Sequence, residues 1–177
     1  MSPRERIEEA SRVYGGESVA LWCAELLSGQ VSFDAADRPP LTLLGGAHAE
    51  LLSTYEQLGA QEYWPRVWAA RGLLYAWSPR AVPAVVGALD DSAWRVREMA
   101  LKVVRKREIG EASEAAAALV TDEVTRVRVA AIRALALVGE GEHAELVRDG
   151  TDDPEPSVRD AALSAIETMT HRLERPL

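Results

Sequence analysis

Three stretches of this chain, 91–104, 122–135 and 153–166, align without gaps at a fixed spacing of 31 residues. A repeat of that length constrains the fold more than any other feature, because each copy must be one supersecondary unit that buries its apolar face on the next. Asp91, Asp122 and Asp153 recur in register, and so do Arg97, Arg128 and Arg159. Between and after them run apolar columns four residues apart: Val96/Val127/Val158, Ala100/Ala131/Ala162 and Val104/Leu135/Ile166. That spacing places all three columns on one face of a helix. An earlier helix is predicted in each unit, for instance over 79–89 and 111–120, so the unit reads helix, short turn, helix. Gly110, Gly139 and Gly141 stand at the joins, where a left-handed residue would end a helix. Composition agrees: 29 Ala, 18 Arg against 2 Lys, one Phe and no Asn favour helix over sheet.

These residues resemble the HEAT repeats, and most closely the short bacterial HEAT-like form also found in phycobilin lyases. The matching pattern is Asp, five residues, Arg, with Val before the Arg and an Ala-rich helix after it, over 78–170. Pro83 within a first helix also looks like that family, and the Arg-rich, Ala-rich chain is similar to small actinobacterial HEAT-repeat proteins. The resemblance implies an all-α fold, an α-α superhelix (HEAT-like solenoid) of about four helical hairpins with an N-terminal helical cap. It also implies a structural ladder in which Asp91, Asp122 and Asp153 end the inter-helix turns and Arg97, Arg128 and Arg159 pair across units. Helix geometry points the same way: six residues turn roughly 240° and rise about 9 Å, so the Asp and Arg of one unit do not face each other readily. The acids are expected as helix N-caps, with Asp153 followed by Pro154 in the form of a cap and a first-position proline.

The length suits one domain over 1–177. Within it we expect an N-terminal helical cap and loop over 1–45, a degenerate repeat over 46–77, regular repeats over 78–107, 108–138 and 139–170, and a tail over 171–177. Ser2, Pro3 and Glu5 form a capping box that opens a helix ending at Gly15 and Gly16, with a second helix over 17–28. The connection 29–45 reads as a lid or a tether. In the degenerate unit, first helix about 46–59 and second helix in 63–77, Trp68 and Glu62 stand where the ladder Arg and Asp would be.

Signals for chemistry are sparse. His48, His143 and His171 are scattered, and no ligand spacing predicts a metal or a cofactor. The acid-rich run 149–155 has its glycine in the wrong place for a calcium loop, and 139–141 does not follow a strand as a phosphate cradle would. Cys23, the single cysteine, reads as a small buried hydrophobe. One cysteine and a polar, charged N-terminus predict a cytoplasmic protein, and no apolar run is long enough for a bilayer. We expect no enzyme.

Charge is more informative. The net charge is -8, which disfavours nucleic acid and anionic membrane, yet it is segregated: 64–133 is net basic while both flanks are acidic. Counting +2, +6 and +9 from each repeat's Val gives a stripe away from the core: Glu98, Lys102, Arg105, then Val129, Arg133, Ala136, then Asp160, Ser164, Glu167. The stripe reads as a recognition surface or as a solvated helix face with Glu98 and Lys102 in an ordinary i,i+4 pair. Trp68 and Trp77 read as core, whereas Trp94 beside Arg95 has the composition of an interface anchor. The expected function is therefore a non-enzymatic protein–protein interaction or scaffold module, a monomer or weak homodimer. It would bind a protein partner through the concave face of its second helices at Trp94, Arg95, Glu98, Lys102, Arg105 and Arg133. The alternative is nucleic-acid binding, since HEAT-like alkylpurine DNA glycosylases hold duplex DNA in a basic groove; Arg95, Lys102, Arg105, Lys106, Arg107, Arg126 and Arg133 would then meet phosphates. A phycobilin-lyase activity rests on the repeat resemblance alone, with no residue to carry it.

Overall fold

The computed structural model describes residues 1–31, 38–51 and 59–174, and every regular element among them is helical. The chain is all-α, and its contacts divide it into two compact units, Met1–Ala88 and Leu89–Leu177. The division falls inside the repeat expected over 78–107.

In the first unit, α1 (Pro3–Tyr14) opens on the expected capping box. The Ser2 hydroxyl accepts from the Glu5 backbone N–H at 3.3 Å and the Glu5 carboxylate accepts from the Ser2 N–H at 2.6 Å, which satisfies donors the helix leaves unpaired. The helix stops at Gly15, whose φ of 86° lies in the region that only glycine enters freely. α2 (Gly16–Leu27) is apolar on most sides and buries Val19, Trp22, Cys23, Leu26 and Leu27. It packs against α5 (Trp64–Leu73), where Gly72 lets the two backbones close in: a Cβ there would lie 2.6 Å from the Cys23 sulfur. Two short helices, α3 (Thr42–Gly45) and α4 (Ala47–Glu50), lie in the segment expected as loop and as the start of the degenerate repeat. Gly45 is needed there because any side chain would strike the buried ring of Trp68. Most of the degenerate repeat's first helix, at 52–58, and the middle of the 29–45 connection, at 32–37, lie outside the described residues. After a 3-10 turn at Pro79–Ala81, α6 (Val82–Gly87) completes the unit, with Pro83 in its first turn, where proline costs no hydrogen bond and causes no kink.

The second unit repeats in space as it does in sequence. α7 (Trp94–Arg107), α9 (Thr125–Val138) and α11 (Pro156–Arg172) are long helices at 31-residue intervals, and α9 packs against both of the others. Between them the expected first helices are shorter than periodicity suggests. Each is a six-residue α-helix, α8 (Ser113–Ala118) or α10 (Ala144–Asp149), with a 3-10 turn on either side. The apolar columns form the core: Val96, Val127, Val158, Ala100, Ala131, Ala162, Val104 and Leu135 are fully buried, and Ile166 is half-buried. Burying each Val or Leu contributes about 1.5–3 kcal/mol.

Arg97 and Arg128 clasp the repeat that follows. Arg97 donates to the Asp122 carboxylate at 2.9 Å from Nε and 2.8 Å from Nη2; Arg128 donates to Asp153 at 2.8 Å and 3.0 Å. The third guanidine nitrogen turns back to the carbonyl of its own repeat's Asp: Arg97 to Asp91, Arg128 to Asp122 and Arg159 to Asp153, at 2.8, 3.0 and 2.7 Å. The acids do not cap the long helices. The N-cap residues are Ala93, Val124 and Glu155, and the first-turn proline is Pro156, not Pro154. Each Asp sits two residues earlier and accepts the cap residue's N–H at 2.8–2.9 Å, the Asx turn that aims the chain into the helix. The helix ends also depart from expectation. The left-handed residue closing α7 is Glu108, at φ 52°, while Gly139 closes α9 at φ -72°, where a side chain would meet the Leu135 carbonyl.

Candidate functional site

Where α7 and α9 lie side by side, Leu101, Val129 and Ala130 floor a cleft of about 90 Å³ walled by Glu98, Lys102, Arg105, Arg126 and Arg133. The clasp of Arg97 on Asp122 sets the two helices in the register that brings these side chains together. Glu98, expected on the solvated stripe, is 8% exposed. Its position faces the neighbouring long helix, which a single-helix projection does not see. One carboxylate oxygen of Glu98 accepts from Lys102 Nζ at 2.9 Å and from Arg126 at 3.2 Å (Nε) and 3.1 Å (Nη2). The i,i+4 pair is thus present, and it is joined by a third charge from across the cleft. A nearly buried carboxylate needs such partners to offset its desolvation.

Arg105 and Arg133 differ from these. Among the described residues neither makes a hydrogen bond or an ion pair, and both are exposed. Four cations and one carboxylate therefore line a cleft that also holds three apolar residues, and two of the cations are bonded to the carboxylate. At the start of α7 the half-buried Trp94 ring carries the Arg95 guanidinium at 4.3 Å and the Arg126 guanidinium at 5.5 Å from its centroid. Both distances suit a cation on an aromatic face. Arg126 is the residue that links the Trp94 ring to the Glu98 cluster. In the sequence it stands just before Val127, off the counted stripe, where only the nucleic-acid alternative gives it a role. The rest of the stripe is uneven: Ala136 is buried and Val129 half-buried, while Asp160, Ser164 and Glu167 are exposed on α11.

Other polar groups have structural roles. Glu114, Glu142 and His143 bring one ligand atom each within 4.8 Å of one another, a grouping no sequence motif announces. His143 Nδ1 accepts the Glu140 backbone N–H at 2.9 Å, so the proton must sit on Nε2, which points at Glu114 at 3.1 Å. A metal on Nε2 would need the ring proton on Nδ1, where it would oppose the Glu140 N–H, so this histidine is held for its turn and the trio does not suit an ion. A larger cleft of about 420 Å³ on the turn side is lined by Val120, Asp122, Leu146, Asp149 and Asp153. Its ladder acids are already held by arginine, and the Arg128 hydrogen bond keeps the Asp153 carboxyl below its usual pKa. In the first unit burial pushes the Cys23 thiol up to about 12, leaving it no thiolate for nucleophilic chemistry. Arg71 and Arg6 both donate to the Leu44 carbonyl, and burial, then the Arg6 charge, lowers the Arg71 pKa. Trp68 is buried as expected, and Trp77 is half-buried. Among the described residues no helix is long and apolar enough to cross a membrane.

No protein-family model matches the chain, and no curated protein is similar to it in sequence. The crystal structure of an engineered protein is similar in fold, with 17% identity and a TM-score of 0.51 over 96% of this chain and 80% of that one, a likeness that supports the all-α architecture.

Proposed function

We propose that the chain is a bacterial, HEAT-like α-solenoid that acts as a non-enzymatic protein-interaction module. Its partner offers an acidic segment with an apolar side chain to the cleft between α7 and α9. The observation that carries this reading is the exposed pair Arg105 and Arg133, unbonded among the described residues beside the apolar floor of Leu101, Val129 and Ala130. The Trp94 ring, with two guanidinium groups within 5.5 Å of its centroid, supplies a flat, stiff anchor next to it, the composition found at binding hot spots. Curved repeat surfaces recognise partners without a catalytic pocket. Duplex nucleic acid suits the surface less well. One helix further along, about 10 Å away, the same stripe becomes Asp160, Ser164 and Glu167, which repels a phosphate backbone.

Affinity capture with the intact chain and with Trp94→Ala and Lys102→Glu/Arg105→Glu variants tests the reading. A partner held by the wild type and lost by the charge-reversed variant supports it. The same proteins retained by every variant overturn it. In parallel, a gel shift with duplex DNA at low salt should show no retardation. A shift that disappears between about 50 and 200 mM salt would assign the cleft to phosphates instead.

A further inference from the structure

The last long helix lacks what the first two have. Arg97 and Arg128 each hold a carboxylate of the following repeat, but among the described residues Arg159 has no ion pair: only its Nη1 is bonded, to the carbonyls of Asp153 and Pro154. Leu101, Ile132 and Leu163 occupy one repeat position; the first two are fully buried, and Leu163 is 60% exposed. α11 therefore presents, on one edge, the guanidinium and the leucine that elsewhere lock onto the next helix. Glu167, one turn beyond Leu163, is exposed and without a partner among the described residues.

The spacing of these three residues is self-complementary. Arg159 precedes Leu163 by four residues and Glu167 follows it by four, so all three lie along one stripe of the helix. When two copies of such a helix pack antiparallel about a two-fold axis through Leu163, the position four before in one copy meets the position four after in the other. We infer that the chain pairs with a second copy of itself through α11. Leu163 packs on its symmetry mate, and Arg159 of each copy bonds Glu167 of the other. The contact is isologous and closes at two. It takes up the open guanidinium with a carboxylate, as Asp122 and Asp153 do for Arg97 and Arg128. The inference is independent of the cleft between α7 and α9, and failure of either leaves the other standing.

Sedimentation of the full chain over about 1–200 µM protomer tests it, because a dimer of this kind assembles by mass action. The wild type should shift from monomer to dimer across that range, and Leu163→Glu should stay monomeric with an unchanged far-UV spectrum. Glu167→Arg sets two guanidinium groups against each other across the two-fold axis, and Arg159→Glu sets two carboxylates against each other. Each variant alone should therefore lose at least about tenfold in dimerisation constant. Mixed one to one, they restore one native and one exchanged pair and should form a heterodimer. Should Arg159→Glu fold poorly, Arg159→Gln mixed with the wild type serves in its place, with dimerisation intermediate between the two homotypic samples. A wild type that remains monomeric throughout, a dimer indifferent to Leu163→Glu, a mixture of Glu167→Arg and Arg159→Glu no more dimeric than either alone, or a mixture of Arg159→Gln and wild type no more dimeric than Arg159→Gln alone would overturn the inference.

Discussion

The two halves of the molecule reach the same kind of helical core by different means. The second unit uses the same few contacts at each repeat: small Val and Ala columns, and an arginine that joins the carboxylate of the next repeat to the carbonyl of its own. Among its described residues the first unit shows no contact that recurs at a fixed spacing. It is filled by two large buried rings, Trp22 and Trp68, and by glycines that admit a sulfur and an indole where no Cβ fits. A repeated design spreads its stability over equivalent positions, whereas an irregular one concentrates it in individual residues.

That contrast can be broken by mutation. The largest effect is expected in the first unit, where Trp68→Ala should cost about 3–5 kcal/mol in urea unfolding by leaving a cavity beside Gly45. A cost under about 1 kcal/mol would show that the rings are not central. Next come Asp122→Ala and Asp153→Ala. Each strands a guanidinium that is 12% exposed and removes an Asx turn, for about 2–4 kcal/mol. Because the two junctions share one geometry, the two losses should agree within about 1 kcal/mol, and widely different values would mean that the junctions are not equivalent. Gly72→Ala should cost about 1–3 kcal/mol by overpacking Cys23, and adding Cys23→Ala should return part of it. The smallest effect is on pH dependence. The folded pKa of Asp153 lies below its ordinary 3.8, so its stabilising contribution is complete above that value and is lost as pH falls through the lower one. A thermal series from about pH 5 to pH 2 should therefore show a shallower fall in Tm for Asp153→Asn than for the wild type.

The parts of the structure that were legible in the sequence are those tied to the 31-residue register. The apolar columns, buried except at Ile166, and the meeting of Arg97 with Asp122 and of Arg128 with Asp153, depend on repeat position, which one sequence displays. What escaped depends on neighbours that are distant in the chain. Glu98 looks solvent-facing on its own helix but lies in the cleft against the neighbouring one, from which Arg126, 28 residues on, reaches across to it. The acids look like caps because Asp favours caps, but the chain needs two further residues before φ and ψ turn helical. Glu108 takes the left-handed position that glycine usually marks, at φ 52°, although its own Cβ makes that conformation cost about 1–2 kcal/mol, so residue type does not announce this helix end. In the first unit α3 and α4 are single turns, too short for periodicity to register.

Everything about the cleft follows from the arginine that locks one repeat to the next, so a double-mutant cycle on Arg97 and Asp122 is the most direct test. With Arg97→Met, Asp122→Asn and the double variant, unfolding should give a coupling of about 1.5–3 kcal/mol between the two positions. Additive losses, with coupling near zero, would contradict the claim that this contact holds α7 and α9 in register.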